Sequence, residues 1–194
     1  MNIFSNLISL DFRFAESLVS IRSSFWDDFF FLFTKLGSWQ VITGLFILIS
    51  FIFISYRKKD LVFPFFISIF GSGIMVVIIK YLVDRARPGN HISLYLEQLS
   101  SFPSAHAALI FSLFGFLIYC TWRLHFRSGF KLSVITKIIA TFIFSLIIIL
   151  VGFSRLYLGV HFLSDVLAGY LTGLLWVLIA MHISRKEFLN HSRL

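Results

Sequence analysis

The chain has 194 residues, of which 58% are hydrophobic and only 13% charged, against roughly a quarter charged in soluble domains. With so little polar surface it cannot be wetted as a globular domain, so lipid replaces water around most of it. Its formal net charge of +8 is concentrated in short gaps between apolar runs, which excludes a nucleic-acid-binding surface and fits the loops of a polytopic membrane protein.

The first 38 residues mix Phe12, Phe14, Phe25, Trp26 and the Phe29–Phe33 cluster with Asp11, Arg13, Glu16, Arg22, Asp27 and Asp28. So many charges are too costly at mid-bilayer. Residues 1–38 are read as one or two amphipathic helices lying at the membrane surface, with a sixth spanning helix as the alternative. Met1 to Glu16 lacks a basic region followed by an apolar core, so no cleavable leader is expected. Five apolar runs follow: Trp39–Tyr56, Leu61–Val83, Ser104–Trp122, Leu132–Phe153 and His161–Ile183. Each is long enough to cross a hydrocarbon core of about 30 Å, and in lipid such runs must be helices. The expected fold is therefore an all-α transmembrane bundle, with a membrane domain over 39–185 and a cytoplasmic tail over 186–194. Cys120 is the one cysteine. It lies inside an apolar run and reads as a small buried hydrophobe.

Charge sets the orientation. Arg57, Lys58, Lys59, Arg123, Arg127, Lys131, Lys137, Arg185, Lys186 and Arg193, with the acids Asp60 and Glu187, fall at one end of the bundle. The rest of the chain carries seven cations and seven acids. The positive-inside rule makes the basic end cytoplasmic.

The unusual polar residues all fall at the opposite end. Lys80, Arg85, Arg87 and Pro88 close the second span, and Pro103, Ser104 and His106 open the third. Ser154 and Arg155 close the fourth, and His161 and Asp165 open the fifth. Ionisable groups at membrane depth point to function, and phosphoryl transfer fits this set. Lys80, Arg87 and Arg155 can neutralise the oxygens of a phosphate, Arg by a planar fork and Lys as a point charge. Ser104 opens a helix whose free N–H groups, at Ala105 and His106, suit an anion. His161 and Asp165 are four apart, on one helix face, so the carboxylate can hold the imidazole in one tautomer. His106 supplies a second imidazole. Zinc is not expected, because no cysteine joins these groups and three cations would repel a divalent ion. Arg85 and His91 stand outside this pattern. Arg85 reads as a lipid headgroup contact or a snorkelling side chain, and His91 as a headgroup contact or a solvated loop residue. His125, His182 and His191 read as ordinary residues of the cytoplasmic side.

Three segments carry a resemblance: KYLVDRARP from Lys80 to Pro88, PSAH from Pro103 to His106, and SRLYLGVHFLSD from Ser154 to Asp165. In order and spacing they resemble the signature of the type 2 phosphatidic acid phosphatase (PAP2) superfamily, in its bacterial membrane lipid phosphatase form. Ala105 stands where that family usually has glycine. Alanine keeps the backbone N–H but disfavours a positive φ.

The resemblance implies that His161 is a nucleophile forming a phosphohistidine, oriented by Asp165, and that His106 protonates the leaving oxygen and then activates water. It implies a phosphate cradle of Lys80, Arg87, Ser104, Ala105 and Arg155, with no metal or other cofactor. The implied partner is a phosphorylated lipid in the bilayer: undecaprenyl pyrophosphate, phosphatidylglycerol phosphate, phosphatidic acid or a lipid A phosphate. With the charge asymmetry, the site is expected on the extracytoplasmic face of the plasma membrane. A lipid phosphotransferase using the same phosphohistidine, and a non-catalytic lipid-binding or transport protein, are the alternatives. The loop from Gly89 to Phe102 is too short for a lid domain, which suits a site open to the bilayer.

Overall fold

The computed structural model describes residues 3–89, 91–95, 97–123 and 132–191 and shows an all-helical chain over them. The helices are α1 (Ile3–Val19), α2 (Ser24–Thr34), α3 (Trp39–Ser55), α4 (Val62–Val83), α5 (Ala105–Arg123), α6 (Val134–Tyr157) and α7 (Leu163–His191). His125, Arg127, Lys131 and Arg193 lie outside the described residues, so the charge count at the basic end is described only in part.

By length and composition, segments 59–83, 105–123, 134–157 and 163–185 can each cross a membrane. Helix α3 has 17 residues and meets the same test together with α2, from which it bends by 51°. The spanning helices run alternately up and down. The end of α4, the start of α5, the end of α6 and the start of α7 therefore meet at one end of the bundle, and the basic Arg57–Lys59 turn lies at the other. Outward-facing positions such as Phe51, Ile135 and Phe142 are apolar and about two-thirds exposed (67%, 70% and 67%), as a lipid-facing surface requires.

Helix α5 is the axis of the bundle, packed against α4, α6 and α7. Ile110, Leu113 and Phe116 on it interlock with Ile42 and Phe53 of α3 and with Phe65 and Ile69 of α4; Cys120 is buried in the same cluster, as the sequence suggests. Its seam with α7 is built from small residues. A Cβ on Gly169 would lie 2.5 Å from the Ser104 carbonyl oxygen, and one on Gly173 would lie 2.7 Å from that of Ala108. Two glycines four apart thus let the α7 backbone approach α5 closely. The contact brings the Ser104 N–H to the Asp165 carbonyl, 3.0 Å away.

Two turns finish the site end. Asp84 caps α4 in the left-handed conformation (φ 41°), donating its N–H to the Lys80 carbonyl. After α6 the chain reverses at Gly159 (φ 70°), where a Cβ would sit 2.3 Å from the Ile92 carbonyl oxygen. Only glycine meets both demands.

The N-terminal helices lie against this end of the bundle, α1 on α6 and α7 and α2 on α6. Their charges divide by face. Arg13, Glu16 and Asp28 are exposed. Asp11, Arg22 and Asp27 instead turn inward. The Arg22 guanidinium donates to the Tyr157 carbonyl (3.1 and 2.7 Å), and Tyr157 Oη donates to Asp27 at 2.9 Å.

Gly169→Ala should lower stability by about 1–3 kcal/mol, because the added methyl meets backbone. Thermal unfolding in detergent measures this. Gly73→Ala is the control, since its Cβ would meet only Leu109 Cδ2, at 3.5 Å, and it should change the midpoint little.

Candidate active site

His161 lies in the short segment between the Gly159 turn and α7. This corrects the expectation that His161 and Asp165 share a helix face: α7 begins at Leu163, and His161 precedes it. The cause is Asp165 itself. Its Oδ2 accepts the Phe162 N–H at 2.8 Å, capping the helix it belongs to, and the same oxygen lies 3.5 Å from His161 Nδ1. Ser101 donates to that oxygen as well and stands 3.5 Å from Nδ1. With Nδ1 held on that side, Nε2 faces Arg87, whose Nη1 is 3.3 Å away. Burial pushes the His161 imidazole down to about 4. The hydrogen bond to Asp165 opposes the fall, and the Arg155 and Arg87 charges add to it. The direction of the shift favours the neutral ring, the form a nucleophile needs.

Arg87 and Arg155 act on this ring, and Lys80 stands beside them and Asp165. Lys80 is buried near the end of α4 and donates to the Ser100 carbonyl. Arg87 donates to the carbonyls of Leu99 (2.7 Å) and Val160 (2.6 Å). Arg155 is fully buried, with Nη1 on Thr34 Oγ1 (2.8 Å) and on Tyr95 Oη (2.5 Å). Glu97 joins two of the three: one carboxylate oxygen lies 2.7 Å from Arg87 Nη2 and the other pairs with Arg155 Nη2. Burial opposes the Glu97 charge, but Arg155 and Arg87 outweigh it and hold the carboxyl down at about 2. Arg155 Nε is buried without a hydrogen-bond partner among the described residues. A buried donor left open beside a carboxylate-bridged arginine pair marks a place for a further acceptor. His106, in the first turn of α5, is within electrostatic reach of Arg155, Glu97, His161 and Arg87. Ser104 is fully buried just before α5, and Ala105 follows it.

An apolar pocket of about 530 Å³ adjoins this centre. Lys80, Leu99 and Ala105 line it where it meets the charged groups, and Trp39, Ile74 and Ile78 where it meets the lipid-facing side of α3 and α4. No cluster of three or more His, Cys, Asp or Glu side chains with metal-binding geometry occurs among the described residues.

The profile of the PAP2 superfamily matches residues 61–189. The chain belongs to the PAP2 superfamily. Phosphatidylglycerophosphatase B of Bacillus subtilis (strain 168) is 31% identical over 183 residues, covering 92% of this chain and 85% of the relative. Among solved structures, the transmembrane PAP2-type phosphatidylglycerolphosphate phosphatase from Bacillus subtilis superposes with a TM-score of 0.82 at 28% identity, over 93% of this chain and 87% of the other. Aquifex aeolicus LpxE gives 0.68 at 28% identity, over 89% and 95%. The protein is a multi-pass membrane phosphatase of this superfamily.

The candidate site residues read from the three sequence segments, Lys80, Arg87, Ser104, Ala105, His106, Arg155, His161 and Asp165, gather at one end of the bundle. Arg85, read from sequence as a headgroup contact or a snorkelling side chain, is only 22% exposed and pairs with Asp165 and Asp11. Its burial between two carboxylates replaces the lipid contact. His91 is exposed on the loop, and Asn90 beside it lies outside the described residues. Sequence reasoning gave no site role to Asp11, which it read as an interfacial charge, nor to Thr34, Tyr95, Glu97, Ser101, Gly159 and Ser164. Glu97 was the one with a signal: it is the one acid in the loop between two motifs rich in arginine and histidine.

An anion arriving at Arg87 and Arg155 meets a carboxylate already there. Glu97→Gln should therefore strengthen inhibition by orthophosphate by about tenfold, since a neutral amide competes less well for two guanidinium groups. Weaker inhibition would instead mean that Glu97 holds the arginines in place for phosphate.

Proposed function

We propose that this PAP2 phosphatase hydrolyses a terminal phosphate of a membrane lipid through a phosphohistidine at His161. The observation that carries this reading is a buried imidazole, His161, facing Arg87 and within electrostatic reach of Arg155, in a charged cluster whose Lys80 also lines an apolar pocket. A phosphorylated lipid fits both parts, its phosphate on the cations and its chain in the pocket. Relatives named for phosphatidylglycerophosphatase activity support a glycerophospholipid monoester as substrate.

The chemistry follows from the groups present. His161 Nε2 attacks phosphorus, and the bond to the lipid oxygen breaks as His106 gives that oxygen a proton. The three cations and the N–H groups at the start of α5 take the charge on the phosphoryl oxygens. Water then loses a proton to His106 and attacks phosphorus. The N–P bond breaks, and orthophosphate leaves. Asp165 keeps the proton of His161 on Nδ1 and stabilises the charge the ring carries while phosphorylated.

His161→Ala should abolish phosphate release and the acid-labile phosphoenzyme while the protein stays folded. The assay is release from phosphatidylglycerol phosphate, phosphatidic acid, undecaprenyl pyrophosphate and lipid A phosphates in detergent. Vanadate should inhibit by imitating the five-coordinate phosphoryl group, and EDTA should not. Substantial turnover by the folded variant would remove His161 as nucleophile, and loss of activity in EDTA restored by Zn2+ or Mg2+ would bring back a metal.

The positive-inside rule supports an extracytoplasmic site, since the basic residues Arg57, Lys58 and Lys59 lie at the other end of the bundle. In a background lacking Cys120, a cysteine at His91 should react with a membrane-impermeant thiol reagent in intact cells. One at Lys58 should react only after permeabilisation. The reverse pattern would put the chemistry on the cytoplasmic side.

A further inference from the structure

Asp165 does not face His161 alone. Arg85 Nη1 donates to the other oxygen of Asp165 at 2.6 Å, and its Nη2 donates to Asp11 at 2.8 Å. Asp11 comes from α1, far outside the residues that match the family, and is only 4% exposed. It also accepts the Ser164 N–H at 3.0 Å and the Ser164 hydroxyl at 2.5 Å, holding α1 to the first turn of α7. The Arg85 guanidinium lies 4.3 Å from the centre of the Phe162 ring, which closes its remaining face.

A guanidinium this close to Asp165 is an awkward neighbour for a carboxylate that must support a positive ring. Arg85 and Asp165 together carry no net charge. Such a neutral pair lends little stabilisation to an imidazolium or a phosphorylated imidazole. Asp11, on the far side of Arg85, returns the group to a net charge of −1.

We propose that Asp11 and Arg85 are positioning residues for the phosphatase reaction, and that Asp11, Arg85 and Asp165 act on His161 as one unit of net charge −1. The proposal rests on the reading of His161 as nucleophile. It extends the working site beyond the signature motifs to the N-terminal helix.

The other charges facing His161 are Arg87 and Glu97 from the loop, Arg155 from α6 and His106 from α5, with Lys80 of α4 next to Arg87 and Asp165. None of these is changed by substitutions at Asp11 or Arg85, so the pH profile isolates the unit. The acid limb of kcat/KM follows protonation of His161, whose neutral form attacks. Removing a negative charge from the unit disfavours the protonated ring and moves the limb to lower pH. Removing the positive charge does the opposite.

The test is the pH dependence of phosphate release from phosphatidic acid in detergent micelles. Asp11→Asn should move the acid limb down by about one pH unit and lower kcat about tenfold, through weaker support of the phosphorylated ring. Arg85→Gln should move the limb up by about one unit. The double variant Asp11→Asn/Arg85→Gln restores net −1, and should return the limb to its original position and recover most of the lost kcat. A limb that stays put in both single variants, or a double variant slower than either, would overturn the proposal and leave Asp11 as an anchor for α1. Should Asp11→Asn not fold, the direction of the Arg85→Gln limb decides alone. Residual turnover by folded His161→Ala would show instead that the nucleophile itself is misassigned.

Discussion

Four cations crowded at one end of a lipid-embedded bundle repel each other, and the site end of this protein is organised around that repulsion. Lys80, Arg85, Arg87 and Arg155 come from α4, the following loop and α6. Desolvating any one of them without a counter-charge or acceptor would cost several kcal/mol. The fold answers with carboxylates and carbonyls. Glu97 lies between Arg87 and Arg155, and Arg85 lies between Asp11 and Asp165. The carbonyls of Leu99, Ser100 and Val160 take up most of the remaining donors. Arg155 Nε stays open. The arrangement is nearly satisfied at rest, with a small positive surplus for an anion to meet.

This explains why the described residues between α4 and α5 can lack regular secondary structure without being loose. The Ser101 N–H donates to the Arg85 carbonyl at 2.8 Å, and the Ser100 hydroxyl to the Lys80 carbonyl at 3.0 Å. Ser93 bonds the carbonyls of Pro88 and Gly159, and the Leu94 N–H bonds that of Leu158. The loop is thus sewn to the ends of α4 and α6. Its charged members are held by backbone whose position the bundle sets, so the close seam of α5 on α7 reaches the chemistry through the Ser104–Asp165 contact.

Much of this was legible in the sequence, for physical reasons. Runs of about twenty apolar residues admit few alternatives in lipid, and their alternating direction forces Lys80, His106, Arg155 and His161 to one end. The motif spacing then names the site. Two parts were hidden. The start of α7 was placed too early, because hydropathy does not register that Asp165 caps the helix and leaves His161 before it. The inward turn of Asp11, Arg22 and Asp27 was also missed. A helix with charges on it looks interfacial from sequence whether those charges meet headgroups or the ends of other helices, and only packing separates the two.

The apolar pocket between α3 and α4 bears on how the enzyme meets its substrate. Its outer lining is continuous with the membrane-facing surface at Trp39, Ile74 and Ile78, and its inner end is Lys80 and Ala105. A lipid using this route never leaves the bilayer, and its encounters with the enzyme occur in two dimensions. The quantity that governs rate is then the mole fraction of substrate in the leaflet, not its molarity. Adding inert lipid slows such an enzyme at constant total substrate, and a locally enriched domain of membrane speeds it.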